Sequence, residues 1–375
     1  MKILQRAPRS RAVRSRVVRG ASLGLAATVL LGGCGAADEP GGGAPASATA
    51  LRGAISGAGA SSQQAAMQAW ATWFTAANPE ASVEYDAVGS GAGRTRFLAG
   101  TVAFAGSDAV LTADELAAAE DRCRGPVVEV PAYVSPIAVV YNLPGVEDLR
   151  LSPATLAGVF EGRITEWDDP AIAAENPGVR LPDQAIVPVH RSDDSGTTQN
   201  FTDYPKKASG GAWSADPAGA WPGTRGQGAQ GTTGVVAAVR STAGAIGYAD
   251  ESQAGGLATA LVRVGDRYTG PTPAAASAVL GVSRRLEGRG DSSFAFDLAR
   301  DTAAADAYPI VLVSYLVACG AYPDEGQAKL VKGLLTYAVS ADGQRVAAQA
   351  AGSAPLPDGL RTQVAAAVDA IRGGA

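Results

Sequence analysis

Histidine occurs once in this chain, at position 190, and cysteine three times, at 34, 123 and 319. One imidazole, no cysteine pair at metal spacing and no acid cluster leave a zinc phosphatase without ligands, so neither a metal nor another cofactor is expected. A nucleophilic triad does not fit either. His190, Asp193, Asp194 and Ser195 sit almost side by side, whereas triad members arrive from separate segments and converge. Lysine is missing from Gly89-Ser90-Gly91-Ala92-Gly93, which therefore lacks the Lys-Ser/Thr ending of a P-loop. A surplus of positive charge is also absent, with 31 Lys and Arg against 36 Asp and Glu. Nucleic-acid affinity rests largely on clustered Lys and Arg, so such a partner is not expected. The apolar run from Ala21 to Leu31 is too short to span a bilayer.

What is present begins with export. Seven basic residues and no acid fall within the first 33 positions, and Leu31-Gly32-Gly33-Cys34 follows the apolar run. A charged n-region, a short apolar stretch and small residues at the cut site make a secretory signal over 1–33. Small residues directly before a cysteine resemble the bacterial lipobox, with Cys34 as the lipidated first residue of the mature protein; the plain alternative is an ordinary signal with Cys34 incidental. Either way the protein is extracytoplasmic, held at the outer face of the cell membrane by a lipid or free in a periplasm. Residues 34–50 are small and rich in Gly and Pro, which reads as a flexible tether. Removing the signal takes away seven cations and leaves 24 against 36 acids, a formal charge of −12. Any anion must then be bound in a local pocket, against the net field of the molecule.

From residue 54 the chain repeats a pattern of strand, small-residue loop and helix. Ala54-Ile55-Ser56 leads through a Gly/Ser loop to a helix with Met67, Trp70, Phe74 and Ala77 on one face. The alternating stretch Ser82 to Val88 precedes Gly89-Ser90-Gly91-Ala92-Gly93, which opens a helix from Arg94 to Ala99. A third strand ends at Gly106, before Ser107-Asp108. This alternation predicts an α/β sheet, whose ligands sit beyond the carboxyl ends of the strands. Three successive strand ends thus deliver Ser61 and Ser62, Ser90 and Asp108 to one crevice. The 342 mature residues exceed one core and imply two domains. The apolar strand Pro131 to Asn142 marks the first crossing, and Pro309 to Cys319 returns to the first domain. Helices are expected over 327–339 and 358–372.

The most informative stretch is His190-Arg191-Ser192-Asp193-Asp194-Ser195-Gly196-Thr197-Thr198. It follows the apolar strand Ala185 to Val189 and runs into a helix ending near Tyr204-Pro205. A helix N-terminus offers unpaired N–H groups and a dipole that favours negative charge. Ser195 and Thr197 add hydroxyls, Gly196 permits close approach, and Arg191 supplies a planar charged fork for an oxyanion. Asp193 would orient that guanidinium from behind, and His190 is expected to pack or cap beside it. With Cys34 acylated, Cys123 and Cys319 remain as an even pair for a disulfide; two buried free thiols are the alternative.

Taken together, Ser56-Gly57-Ala58-Gly59-Ala60, Gly89-Ser90-Gly91, Ser107-Asp108, Gly162-Arg163-Ile164-Thr165-Glu166-Trp167-Asp168-Asp169, Arg191 to Thr197 and Gly244-Ala245-Ile246-Gly247-Tyr248 resemble the phosphate-binding receptors that feed the Pst-type ABC phosphate importer, in their lipoprotein form. The resemblance implies a periplasmic-binding-protein fold of type II, with two α/β lobes joined by a hinge over one dehydrated phosphate. The lobes would be 51–132 with 308–375, and 133–307. Carried over by position, the ligand residues would be Ser61, Ser62, Ser90, Asp108, Arg191, Ser195, Gly196 and Thr197. The family usually has Thr-Phe where this chain has Ser61-Ser62. The second position is used there through its backbone N–H, and the missing ring would leave the pocket rim less apolar. The partners implied are inorganic phosphate and the transmembrane subunits of an ABC permease, engaged by a monomer.

Asp108 gives the expected site its selectivity. An ionised carboxylate only accepts hydrogen bonds; monohydrogen phosphate has a proton to donate and sulfate has none near neutral pH. The alternatives are a receptor for sulfate, molybdate or phosphonate, a phosphate sensor that supplies no transporter, or a secreted phosphate-ester hydrolase. The pattern favours a receptor over an enzyme.

Overall fold

The computed structural model describes residues 50–374. The expected signal over 1–33, Cys34 and the tether up to residue 49 lie outside them.

Strand and helix alternate from the start: β1 (Arg52–Gly59), α1 (Gln64–Ala77), β2 (Glu80–Asp86), α2 (Ser90–Leu98), β3 (Phe104–Ser107), α3 (Ala113–Cys123) and β4 (Val127–Tyr141). Then come α4 (Pro153–Glu161), α5 (Pro170–Glu175), β5 (Val187–Arg191), α6 (Gly196–Ala208), β6 (Gln227–Ala229), α7 (Gly231–Ser241), β7 (Ala245–Asp250), β8 (Ala258–Thr259) and α8 (Pro273–Val282). The last large elements are β9 (Val311–Cys319), α9 (Glu325–Val339), α10 (Ala341–Ala351) and α11 (Asp358–Asp369).

One sheet runs through the molecule in the order β2-β1-β3-β9-β4-β7-β5-β6, with β8 beside β4. β1 pairs in parallel with β2 and with β3, so the loops after all three leave from the same end of the sheet. β5 is likewise parallel to β6 and β7. The spine is β4, whose 15 residues are all buried, as a near-continuous apolar strand covered on both faces should be. It pairs with β9 from Val127 to Pro136 and with β7 from Ile137 to Tyr141. At this change of partner, Ile137 N donates to Ile310 O at 2.7 Å. Two sheet halves therefore share one strand, and the chain passes between them beside Pro136 and Ile310.

Helices cover the sheet by burying one stripe each. In α1, Ala66, Met67, Trp70 and Phe74 face inward at helical spacing; Ala77, expected with them, is exposed in the last turn. Thr112 and Glu115 close a reciprocal capping box at the start of α3. Cys123, the last residue of α3, is bonded to Cys319, the last of β9.

Two of the expected helices differ clearly in extent. α2 starts at Ser90, four residues before Arg94, because tertiary contact overrides the low helix propensity of glycine. A Cβ at position 93 would press into the β1 backbone at Ala58 and Gly59, so the glycine permits the contact that holds the turn. α6 does not stop near Pro205 but continues to Ala208. The proline gives up only its own N–H, and Ser209 N still donates to Pro205 O at 3.0 Å. α3, α5, α7, α8 and α10 have no counterpart among the expected helices; in α10 the buried positions are Gly343, Gln344, Ala347 and Ala351, too small or polar to mark an apolar stripe.

Candidate functional site

Three loops and the start of one helix meet where the sheet halves face each other. The β1–α1 loop brings Ser61 and Ser62, α2 begins with Ser90, Asp108 follows β3, and the β5–α6 turn carries Arg191 to Thr197. Each of the eight expected ligand residues is buried, Asp108 to 3% and Arg191 to 2% exposure.

Asp108 sits at the centre. Its Oδ2 accepts from Ser62 Oγ at 2.5 Å and Thr197 Oγ1 at 3.1 Å, and its Oδ1 from Ser314 Oγ at 2.8 Å. Its backbone N donates to Ser90 Oγ at 3.1 Å, and its carbonyl accepts from Asn200 Nδ2. Burial pushes the Asp108 carboxyl up, while the three hydroxyls and the charge of Arg191 pull it back. Gly196 makes this arrangement possible. A Cβ there would stand 2.7 Å from Ser90 Oγ and 2.8 Å from Asp108 Cβ, so only glycine lets α6 begin against them.

Arg191 ends β5 and is gripped by Asp193, which accepts from its Nε at 2.7 Å and also from its Nη2. One edge of the guanidinium is thereby taken, and Nη1 is left toward Thr232 Oγ1, 3.5 Å away. Burial raises the Asp193 carboxyl, but the hydrogen bonds and charge of Arg191 outweigh it and hold it below the usual carboxylate range. Ser195 caps α6, its Oγ accepting from Thr198 N at 3.3 Å. Thr198 in turn meets Tyr248 Oη at 2.7 Å. His190 stacks on Trp221 with ring centroids 4.8 Å apart and donates through Nδ1 to Arg191 O at 2.9 Å.

Ser62 is fully buried, and its hydroxyl is turned onto Asp108. A phenyl ring has no donor to place there; a serine does.

Other residues of the site were not anticipated. Thr232, in the first turn of α7, meets Ser61 Oγ through its hydroxyl at 2.9 Å and its N–H at 3.2 Å. Gln253 Nε2 reaches the carbonyls of Ser61 and Ser62, and Gly231 N donates to Asp193 Oδ1. The tripeptide Gly-Thr-Thr at 196–198 recurs at 231–233, a signal that could have found Thr232. Ser314 has a fainter mark, as one hydroxyl within Val-Leu-Val-Ser-Tyr-Leu-Val.

The starts of α1, α2, α6 and α7 all lie at this site, each helix being 9 to 14 residues long. Their positive dipole ends and Arg191 make a local field for an anion within an acidic chain. Among the described residues, no group of His, Cys, Asp and Glu is placed to hold a metal ion, and no helix is long and apolar enough to cross a membrane. Cys123 and Cys319 lie at the ends of α3 and β9, apart from these residues.

The PBP superfamily domain matches residues 44–342. The chain is 35% identical to phosphate-binding protein PstS 3 of Mycobacterium tuberculosis, over 94% of this chain and 98% of that protein. It is 36% identical to its namesake from Mycobacterium leprae over the same shares. Among solved structures it is similar to a high-affinity periplasmic phosphate-binding protein (PfluDING) bound with phosphate, at TM-score 0.67 and 25% identity, over 83% of this chain and 93% of that one.

Proposed function

The chain belongs to the PBP superfamily and, within it, to the PstS phosphate-binding proteins, and from that membership we propose that it is an extracytoplasmic receptor that binds inorganic phosphate between its two lobes and hands it to an ABC-type permease. The observation that carries this reading is a buried, acceptor-only carboxylate at the centre of a shell of donors: Asp108 among Ser62, Thr197 and Arg191. Donors from helix N-termini and the guanidinium suit any tetrahedral oxyanion. The carboxylate accepts the proton of monohydrogen phosphate and repels an anion that has none, since an unpaired charge in a dry site is costly. Sulfate and molybdate are disfavoured on that ground.

The ligand set of this proposal is Ser61, Ser62, Ser90, Asp108, Arg191, Ser195, Gly196 and Thr197, with Asp193 holding Arg191 in place. The lobes are 51–132 with 308–375, and 133–307, supported by the change of partner along β4. The site is assigned binding without bond cleavage: Ser195 caps a helix and His190 stacks on an indole, so these two are not paired as nucleophile and base. Cys34 is assigned a lipid and 34–50 a tether to the membrane, on the strength of Leu31-Gly32-Gly33-Cys34. A single copy has the whole ligand set and works as a monomer.

The test is isothermal titration of ligand-stripped protein with phosphate, then with sulfate at equal ionic strength. Stoichiometric phosphate binding without detectable sulfate binding is expected. Equal affinities would turn the reading to a general oxyanion receptor, and no heat with either would remove it. Loss of phosphate uptake on deletion separates a transport receptor from a sensor.

A further inference from the structure

We propose that Ser314, held by Gln63, is a positioning residue that fixes one oxygen of Asp108, turns the other to the ligand, and so sets the preference for a protonated over a fully ionised oxyanion. The proposal rests on the phosphate reading above.

The argument is one of hydrogen-bond direction. Gln63 Nε2 lies 3.2 Å from Tyr315 O and 3.0 Å from Ser314 Oγ. A carbonyl only accepts, so the amide must present its NH2 group here, and that group only donates. Ser314 Oγ therefore receives a proton from Gln63 and has its own proton to give. It donates to Asp108 Oδ1 at 2.8 Å, with the Tyr133 hydroxyl also beside it. The chain Gln63 to Ser314 to Asp108 runs one way.

The other two hydroxyls on Asp108 are different. Ser62 and Thr197 both point at Oδ2, and both belong to segments of the expected ligand shell, so each can rotate to an arriving oxyanion. Ser314 is fully buried in β9, outside the expected ligand shell, where its other hydroxyl neighbour is Tyr133. Oδ1 thus stays occupied while Oδ2 is released to accept the ligand's proton.

Ionisable groups from four elements face Asp108. Arg191 of β5 favours its charge. Asp250 of β7 opposes it, as would Tyr85 of β2 and Tyr133 of β4 if ionised, and burial keeps both tyrosines protonated. With burial already raising the carboxyl, each hydroxyl that donates to it lowers the pH at which it takes a proton. A protonated Asp108 is itself a donor and would welcome sulfate.

The test uses Ser314→Ala and Ser314→Thr, with phosphate and sulfate titrated from pH 5 to pH 9. In Ser314→Ala, Asp108 loses one of its donors, so it protonates at higher pH. The expected results are a phosphate affinity lower by ~tenfold, a phosphate-to-sulfate ratio lower by a similar factor, and sulfate binding that begins at higher pH than in the unaltered protein. Ser314→Thr restores all three. Should Ser314→Ala fail to fold, Gln63→Met frees Ser314 without removing its hydroxyl and should move the same readouts less far. An unchanged ratio and pH profile in a folded variant would overturn the role of Ser314 alone, as would equal losses for both anions at every pH. An unaltered protein that binds no phosphate would overturn the phosphate reading as well.

Discussion

Ser61 and Thr232 stand 171 positions apart in the chain and meet hydroxyl to hydroxyl at 2.9 Å. Thr232 N also donates to Ser61 Oγ, and Gln253 reaches the Ser61 and Ser62 carbonyls from the same side. Groups of Thr232 and Gln253, carried by segments after the crossing at Ile137, thus hold one loop that precedes it. Thr232→Val keeps the shape and removes the hydroxyl. The expected loss of phosphate affinity is roughly five- to tenfold, the worth of one or two buried hydrogen bonds, and Thr232→Ser should recover most of it. Titration calorimetry reads both; an unchanged affinity in Thr232→Val would make the contact incidental to binding.

Arg191 is oriented by Asp193 before any ligand arrives. Removing the guanidinium leaves a charge in Asp193 without its partner, and removes the only permanently charged donor of the set. Arg191→Ala should therefore lower phosphate affinity well over tenfold. Arg191→Lys restores charge but not the planar fork and should recover only part of it. Equal affinities for Arg191→Lys and the unaltered protein would show that charge alone matters.

Asp250 ends β7 opposite Ile137, where β4 changes partners. It is fully buried, and Oδ1 accepts from Ser252 N at 3.1 Å and Ser252 Oγ at 2.6 Å. Burial, with a smaller push from the charge of Asp108, raises its pKa to about 7 against the donors at Ser252 and Ser135. A carboxyl raised on folding keeps its proton longer in the folded state. Its share of stability is present below the unfolded value near 4 and is lost as pH rises toward 7, by at most ~1.4 kcal/mol per pH unit. Asp250→Asn should flatten that decline, seen in urea unfolding between pH 4 and pH 8. The same slope in both proteins would mean that Asp250 is ionised throughout.

The Cys123–Cys319 bond joins the end of α3 to the end of β9 across 196 positions. Closing so long a loop restrains the unfolded chain strongly, and its removal should cost about 2–5 kcal/mol. Both cysteines lie outside the ligand shell, so phosphate affinity at 25 °C should change less than twofold. Thermal unfolding of Cys123→Ser/Cys319→Ser beside the unaltered protein, with and without reductant, checks the first claim and titration the second. A melting point insensitive to reductant would show that the bond contributes nothing.

Much of the site was legible because it is written in local grammar. Arg191 to Thr197 is a strand end, a turn and a helix start in one run, so its donors converge whatever the rest of the chain does. Ser61, Ser90 and Asp108 follow three strands, and strand–helix alternation makes those strands parallel, which sends their following loops to one end of the sheet. The less legible parts lacked such a rule. The glycines of α2 read as a loop until their contact with β1 and Asp194 is seen, and α10 has no apolar stripe to reveal it. The contact of the Ser62 hydroxyl with Asp108 is set by how the β1–α1 loop packs against the end of β3, which no local pattern shows.

By itself, then, the sequence determined the α/β class, the anion-binding turn at Arg191 and the central carboxylate, because secondary-structure periodicity and helix polarity follow from residues near each other in the chain. Only the tertiary structure decided that Thr232 faces Ser61, that Ser62 and Ser314 both donate to Asp108, and that Asp250 is buried where β4 changes partners. Those relationships depend on which strands become neighbours and at what register along β4. Register is set by the packing of both faces of the sheet at once, and no single stretch of sequence contains it.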